Sequence, residues 1–292
     1  YETYDVTSYL KENRNAVGVW LGNGWFRHRR PEPYSSNLEL LFQLQIKHTD
    51  GTTSTIVSNK EWKISDSPIV ENSVFDGEVY DARKELPGWT HSNFDDSDWV
   101  NANEVIAPKE RIIDSQLLDP IKVVKTLRPV RMWEPVKDVF VYDFGQNVTG
   151  WPRLRVLGAQ GMKVILRTSP TSTYDVALMK DLPLKGLVDT IDVTPNRSAK
   201  ARNIYILKGD KNIEEYEPRF TYQGFRYVQI EGFPGRPDLT SIDARVVHSS
   251  VNQTGEFECS NTLLNQIHQN IIWGQVGNLF SIPTDTPHRD ER

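Results

Sequence analysis

The alternation of apolar and polar residues with a period of two is the feature that most constrains the fold of this chain. In "LLFQLQIKHTDGTTSTIVSN" the apolar residues Phe42, Leu44 and Ile46 alternate with polar ones, and the strand pattern resumes after Asp50-Gly51. A period of two places successive side chains on opposite faces of a strand, and an Asp-Gly pair favours a tight turn. This stretch therefore predicts a β-hairpin.

Three further stretches have the same character. "AVGVWLGNGWF" predicts a strand that breaks at Asn23-Gly24, and "YQGFRYVQIEGF" predicts an aromatic, β-branched strand. "WPRLRVLGAQGMKVILRT" predicts a second hairpin, with strands over residues 151–157 and 162–168 and a turn over 158–161. Many short strands of this kind favour antiparallel β-sandwiches.

The pattern changes once, near Cys259. Ser260 and Asn261 are good helix N-caps, and the apolar residues after them follow near-helical spacing, which predicts a long helix over residues 261–276. A lone helix after a long run of strands indicates the start of a different, helical domain.

The strand and helix patterns together predict a mainly β fold. The irregular stretch 103–120 indicates a boundary between two antiparallel, jelly-roll-like β-sandwich domains, over residues 1–103 and 104–258. Residues 259–292 then form the beginning of the helical domain.

Composition excludes several classes of partner. The formal net charge is −5 and there is no basic stripe, so we expect no nucleic-acid partner. No run of apolar residues is long enough for a transmembrane helix, so we expect no membrane partner. The single cysteine, Cys259, cannot form an internal disulfide and fits no metal-ligand spacing. The chain begins at Tyr1 without a signal-like stretch, which suggests a fragment and leaves the cellular compartment open.

The closing segment "SIPTDTPHRDER" concentrates charged residues and supports two interpretations. It can be an ordinary helix start, with Asp285 or Thr286 as N-cap and Pro287 in the first turn. It can also be catalytic, because glycoside hydrolysis uses carboxyl groups on both sides of the scissile bond, one of which needs a raised pKa. Asp285, Asp290 and Glu291 are the candidates, and the residues alone leave both interpretations open.

Four segments, in order, resemble the bacterial α-L-rhamnosidases of glycoside hydrolase family 78. "PTDTPHRDER" is similar to that family's "TDCPQRDER" motif, which opens onto the active site of an (α/α)6 barrel. "VYDFGQNVTGWPRLRV", "EPRFTYQGFRYVQIEGFPG" and "VFDGEVYDARKELPGWTHSNFDDSDW" resemble segments of its β-domains; they span residues 141–156, 217–235 and 74–99.

The resemblance implies roles for the terminal residues. Glu291 corresponds to the general acid that protonates the glycosidic oxygen, and Asp285 and Arg289 correspond to residues that hold rhamnose hydroxyls. The chain departs from the motif at Thr286, which replaces the usual Cys, and at His288, which replaces the usual Gln and is a further candidate substrate contact.

The resemblance also implies a reaction and a partner domain. Family members remove terminal α-L-rhamnose from glycosides or plant polysaccharides with inversion, and their general base lies further on in the barrel. The predicted helix would then be the first helix of a truncated barrel, and we expect this chain alone to be inactive. Two rival interpretations remain: a non-catalytic carbohydrate-binding β-sandwich protein, and an enzyme-like scaffold that has lost activity.

We expect no cofactor, with one alternative. Some family members bind rhamnose through calcium in a related accessory domain, and carboxylates are hard-cation ligands. The candidates are the acids of residues 74–99, namely Asp76, Glu78, Asp81, Asp95, Asp96 and Asp98. The favoured interpretation is structural: Asp95, Asp96 and Ser97 form a turn closed by side-chain hydrogen bonds, and Trp89 and Trp99 pack in the core. The alternative for the two tryptophans is a platform on which a sugar stacks.

Overall fold

A computed structural model describes residues 1–27, 37–106 and 112–289 of the chain. Strands make up 34% of it and helices 12%, which confirms the mainly β fold class. The helices are α1 (Thr173–Met179) and α2 (Thr262–Gly277). The strands, in chain order, are β1 (Gln43–Lys47), β2 (Thr53–Val57), β3 (Lys63–Ile64), β4 (Ile69–Ser73), β5 (Gly77–Asp81), β6 (Val100–Asn101), β7 (Ile121–Leu127), β8 (Arg131–Val136), β9 (Val139–Val156), β10 (Lys163–Ser169), β11 (Thr171–Ser172), β12 (Ile191–Asp192), β13 (Arg202–Ile206), β14 (Glu214–Tyr216), β15 (Gln223–Glu231), β16 (Ile242–Ser249), β17 (Leu279–Phe280) and β18 (Ile282–Pro283).

The predicted hairpin around Asp50-Gly51 is present. β1 and β2 pair antiparallel, from Gln43 opposite Val57 to Lys47 opposite Thr53. The strand predicted over "AVGVWLGNGWF" is wrong, because residues 17–21 have no strand assignment in the structure. Val17, Val19 and Leu21 are all exposed, so the alternating pattern does not bury one face of a strand here.

One sheet dominates the fold. Among the described residues it has ten strands, and its main path runs β4-β5-β13-β10-β15-β9-β16-β7. β8 and β14 pair with β9 at its two ends. Its pairs are antiparallel except β5–β13, which is parallel.

The second predicted hairpin is wrong in its pairing, although both of its strands exist. β9 and β10 are not neighbours, because β15 lies between them and pairs with both. The distal end of β9 is already flanked by β16 and β14, so no edge is left there for β10. Gly150 allows β16 to approach, since a Cβ at this position would lie 1.8 Å from the carbonyl oxygen of Arg245.

The first and second parts of the chain share this sheet. β4 and β5 precede residue 103, yet β5 pairs with β13, with Tyr80 opposite Tyr205. The domain boundaries stay predictions. The large sheet contains strands from both sides of the predicted boundary at residue 103.

The core on one face of the sheet includes three stacked tyrosines. Tyr205 lies 4.9 Å from Tyr216 and 5.8 Å from Tyr80, measured between ring centroids. Each such aromatic pair contributes about 0.5–1.5 kcal/mol beyond its buried area. The hydroxyl of Tyr205 donates to Glu214 at 2.7 Å, and that of Tyr216 donates to Glu78 at 3.1 Å. This face therefore contains buried polar groups that are hydrogen-bonded.

In the described ranges no helix is both long and apolar enough to span a membrane.

Candidate functional site

The helix α2 brings the terminal segment to the sheet. It begins after Asn261, whose side chain accepts hydrogen bonds from the backbone N–H groups of Leu263 and Leu264. Trp273 packs against the core of the large sheet. The predicted helix over 261–276 is thus confirmed, within one residue at each end.

The opposite side of α2 is apolar and exposed. We call this surface the apolar stripe; it consists of Leu263, Leu264, Ile267 and Ile271, which are between 44% and 61% exposed. These positions share one side of the helix because residues three and four apart are neighbours on its surface.

Residues in or next to two strands of the sheet hold the end of α2 and the chain after it. The Thr149 hydroxyl in β9 donates to the carbonyl of Gly277 at 2.8 Å. Tyr222, next to the start of β15, stacks on Phe280 with ring centroids 4.0 Å apart. Burial raises the pKa of Tyr222 to about 12, so the ring is neutral at physiological pH.

The next residues form a loop that we call the terminal loop, residues 284–289. The backbone N–H of Thr284 donates to the carbonyl of Asn278 at 2.8 Å, and that of Gly224 in β15 donates to the carbonyl of Pro287 at 3.1 Å. Arg289 Nε donates to the Thr286 hydroxyl at 3.2 Å. In the described residues this segment is a turn anchored on the sheet.

The terminal loop, α2 and the sheet line an open cavity of about 350 Å³. This volume lies in the range of small-molecule sites, about 300–1,000 Å³. Its wall combines apolar side chains with amide, imidazole and carboxylate groups, a mixture that suits a sugar, which has both C–H faces and hydroxyls. The lining residues are Gln146, Asn147, Val148, Thr149, Gly224, Val246, His248, Asn270, Trp273, Gly274, Val276, Gly277, Asn278, Asp285, Thr286, Pro287 and His288.

An ion pair between the buried carboxylate of Asp143 and the partly exposed Arg226 lies beside the part of the wall at Gln146 and Asn147. Asp143 accepts from Arg226 Nε at 2.8 Å and from the backbone N–H of Gly145 at 2.7 Å. Burial alone would raise the pKa of Asp143, but these bonds and the nearby guanidinium groups outweigh it and hold the pKa below its usual value. Asp143 is therefore a carboxylate at neutral pH and fixes the turn before Gln146.

The structure brings together two of the four predicted site residues. Asp285 and His288 line the same cavity, with Asp285 exposed and His288 half-buried. Arg289 is half-buried and bonds back to Thr286, outside the cavity lining. Glu291, the predicted acid, lies outside the described residues, as does Asp290.

Among the acids of residues 74–99, partners other than a metal are present for Asp81, Asp95 and Glu78. Asp81 forms a salt bridge with Arg83 at 2.8 Å, and Asp95 accepts from the backbone N–H of Ser97 at 3.0 Å, as the predicted turn requires. Burial raises the pKa of Glu78, although the N–H of Arg219 and the hydroxyl of Tyr216 favour its charged form. No group of three potential ligands gathers in the described part of the chain. The calcium alternative stays a prediction.

The two tryptophans of this region contact other aromatic rings. Trp89 stacks on Trp20 at 5.7 Å, and Trp99 contacts Phe94 edge to face at 5.6 Å. Both tryptophans are half-buried, so each side chain retains some exposed surface.

Several cavity residues were not assigned a role from the sequence. Gln146 and Asn147 belong to a motif that resembles the family, yet nothing in the spacing places them beside residues near 285. Trp273 and Asn270 lie about one turn apart on α2. Helical periodicity predicts that they are neighbours on the helix surface, but it does not predict that they line this cavity.

Comparison with known proteins accounts for almost the whole chain in three consecutive matches. Protein-family models for the α-L-rhamnosidase N-terminal domain, the bacterial α-L-rhamnosidase concanavalin-like domain and the bacterial α-L-rhamnosidase 6 hairpin glycosidase domain match residues 1–125, 134–248 and 252–292. An α-L-rhamnosidase from Streptomyces avermitilis is 42% identical over 296 residues, which covers 100% of this chain and 27% of that protein.

Solved structures give the same result. The α-L-rhamnosidase from Dictyoglumus thermophilum superposes with a TM-score of 0.81 at 44% identity, over 89% of this chain and 28% of that one. The Streptomyces avermitilis α-L-rhamnosidase complexed with L-rhamnose gives a TM-score of 0.78 at 43% identity, over 86% and 23%. The chain belongs to the bacterial α-L-rhamnosidase family. It spans between 27% and 31% of the length of the curated relatives it matches.

Proposed function

We propose that this chain is the N-terminal part of an inverting α-L-rhamnosidase that removes terminal α-L-rhamnose from glycosides or plant polysaccharides. The observation that carries the proposal is the cavity shared by Asp285 and His288, in a chain that matches α-L-rhamnosidases over almost its whole length. The L-rhamnose in the Streptomyces avermitilis relative supports the choice of sugar.

Four residues of the terminal segment have roles in the proposed reaction. Glu291 donates a proton to the glycosidic oxygen, which makes the departing group a neutral alcohol. The Asp285 carboxylate accepts hydrogen bonds from sugar hydroxyls, and the Arg289 guanidinium donates to them. His288 lines the same cavity and is a further contact for a hydroxyl.

The water-activating base comes from outside this chain in the proposed mechanism. In an inverting hydrolase the two carboxyl groups stand about 6.5–9.5 Å apart, which leaves room for a water molecule. The exposed apolar stripe of α2 supports the presence of further helices in the whole protein, because such a surface is stabilised when another apolar face covers it.

The test is Glu291→Gln in the full-length protein. This change keeps the side-chain shape and removes the proton, so kcat on an alkyl α-L-rhamnoside should fall by roughly 10²–10⁴. A 4-nitrophenyl α-L-rhamnoside has a good leaving group, so its kcat should fall much less. Glu256→Gln, which changes an exposed carboxyl group ahead of α2, is the matched control and should retain activity on both substrates.

The stereochemistry is tested separately. Proton NMR of the first-formed product should show the β anomer of rhamnose, and initial release of the α anomer would contradict inversion. A wild-type protein that binds rhamnosides without releasing rhamnose would favour the carbohydrate-binding alternative. Unchanged rates in Glu291→Gln would assign the acid to another carboxyl group.

A further inference from the structure

Gly224 lies where the large sheet meets the terminal loop. It is buried in β15, and β10 pairs with β15 only from Tyr227 onward, so the edge of β15 beside Gly224 is open. The carbonyl of Pro287 occupies that edge and accepts the Gly224 N–H at 3.1 Å. The terminal loop therefore continues the hydrogen-bonding edge of the sheet.

The absence of a side chain at position 224 permits this approach. A Cβ there would lie 3.0 Å from Pro287 Cγ, 3.2 Å from His288 Cβ and 3.2 Å from the His288 backbone nitrogen. Gly224 has no positive φ, so the strand itself does not require glycine. The requirement comes from the terminal loop.

Neighbouring contacts leave the loop little freedom to move aside. Tyr222 stacks on Phe280, and the Ser249 hydroxyl accepts from the backbone N–H of Ser281 at 2.9 Å. The chain is thus fixed on the sheet before the loop begins, and a group inserted at 224 displaces residues 287–288 rather than the whole segment.

We propose that Gly224 is a positioning residue for rhamnoside hydrolysis. It sets the distance between the sheet and the terminal loop, and so the placement of Asp285 and His288, which precede the proposed acid Glu291 in sequence. This inference rests on the proposed function. A misplacement of about 1 Å in a catalytic group costs on the order of 10²-fold in rate, and packed interiors transmit such shifts.

The experiment compares Gly224→Ala and Gly224→Val in the full-length protein. A methyl group shifts the loop by a few tenths of an ångström and should lower kcat on an alkyl α-L-rhamnoside by about 10-fold, whereas Val should lower it by about 100-fold. The loss on 4-nitrophenyl α-L-rhamnoside should be several times smaller, because that leaving group needs little protonation. Gly255→Ala is the matched control, since a Cβ at Gly255 meets nothing within 4 Å.

The substrate pair separates positioning from a general structural role. Equal losses on both substrates, in proportion to the amount of folded protein, would overturn the proposal. Unchanged kcat on both substrates in Gly224→Ala would overturn it as well. If Val prevents folding, the Ala variant decides alone.

Hydrogen exchange gives a readout that does not depend on activity. Amides of residues 284–286, 288 and 289, and that of residue 224, which donates to Pro287, should exchange faster in Gly224→Ala than in Gly255→Ala. Amides of β15 from Tyr227 onward should not change. Equal exchange in the two variants would overturn the positioning role. A wild-type protein inactive on both rhamnosides would refute the proposed function, and the exchange experiment would still test the docking of the loop by Gly224.

Discussion

Asp243 in β16 is expected to contribute strongly to the stability of the sheet. Its side chain is fully buried, and its Oδ2 accepts from Arg153 Nη2 and from Arg155 Nη2, each at 2.6 Å. Its Oδ1 lies 3.2 Å from Arg128 Nη1. One carboxylate thus neutralises guanidinium groups from two neighbouring positions of β9, which would otherwise repel each other.

The change Asp243→Asn keeps the shape and removes the charge. Removing one partner of a buried ion pair costs about 3–5 kcal/mol when the other charge stays buried. Here the side chains of Arg153 and Arg155 are 21% and 20% exposed, and Arg155 also contacts Glu215 at 3.1 Å. We therefore expect a loss of about 2–3 kcal/mol in the free energy of unfolding.

The pH dependence follows from the sign of the pKa shift. Burial would raise the pKa of Asp243, but hydrogen bonds from Arg155 and Arg153 outweigh it and lower the pKa below 3.8. A carboxyl group with a lowered pKa in the folded state stabilises the protein above its unfolded-state pKa, and this contribution is lost as pH falls through the folded-state pKa. The difference between wild type and Asp243→Asn should therefore be constant near neutral pH and shrink below 3.8.

Urea unfolding of the 292-residue chain, followed by circular dichroism, measures this difference. Glu215→Gln is the matched control: it breaks a pair with the same Arg155, but Glu215 is 57% exposed, so the loss should stay below about 1 kcal/mol. A loss in Asp243→Asn below about 0.5 kcal/mol at pH 7, the level of an ordinary surface substitution, would refute the reasoning.

Two further predictions concern the site. Asp285→Asn in the full-length protein should raise KM for aryl α-L-rhamnosides by about 10–100-fold, the worth of a charged hydrogen bond, with a smaller change in kcat, and initial-rate kinetics check this. A change in kcat alone would contradict the assignment to hydroxyl binding. Ile271→Asp should lower the free energy of unfolding of the full-length protein by about 1.5–3 kcal/mol, because we expect further helices to cover the apolar stripe in that protein. In the 292-residue chain, where Ile271 is exposed, the same change should affect the free energy of unfolding little. Urea unfolding of both proteins measures the contrast, and equal effects would indicate that nothing packs on the stripe.

The local part of the fold was predictable because its causes are local. The period-two pattern and the Asp50-Gly51 turn act within one hairpin, and β1 and β2 formed as predicted. The helix was predictable for the same reason, since its N-cap Asn261 and its apolar spacing lie within a few turns. Such patterns depend only on residues close together in sequence, so they can be recognised without knowledge of the tertiary structure.

Strand pairing was not predictable in the same way. The turn formers at 158–161 favour a hairpin between β9 and β10, and the sequence between them is short enough for one. β15 is mostly buried and takes the place between them, because it pairs with both strands and contributes to the core on both faces. This outcome depends on burial summed over distant strands, which no local pattern contains.

The docking of the terminal loop lies between these two cases. A glycine inside a strand pattern, as in "TYQGFRY", is a signal of close backbone approach, because glycine otherwise weakens a strand. The sequence therefore indicates a close contact at Gly224 but does not identify the partner. The partner is Pro287, whose carbonyl lies 3.1 Å from the Gly224 nitrogen in the structure. Either the strand or the terminal loop can require glycine at position 224, and substitution separates these two explanations. If the strand requires it, the sheet loses stability. If the loop requires it, the sheet stays intact and the placement of Asp285 and His288 changes. The ordinary φ of Gly224 and the crowded Cβ position favour the second explanation.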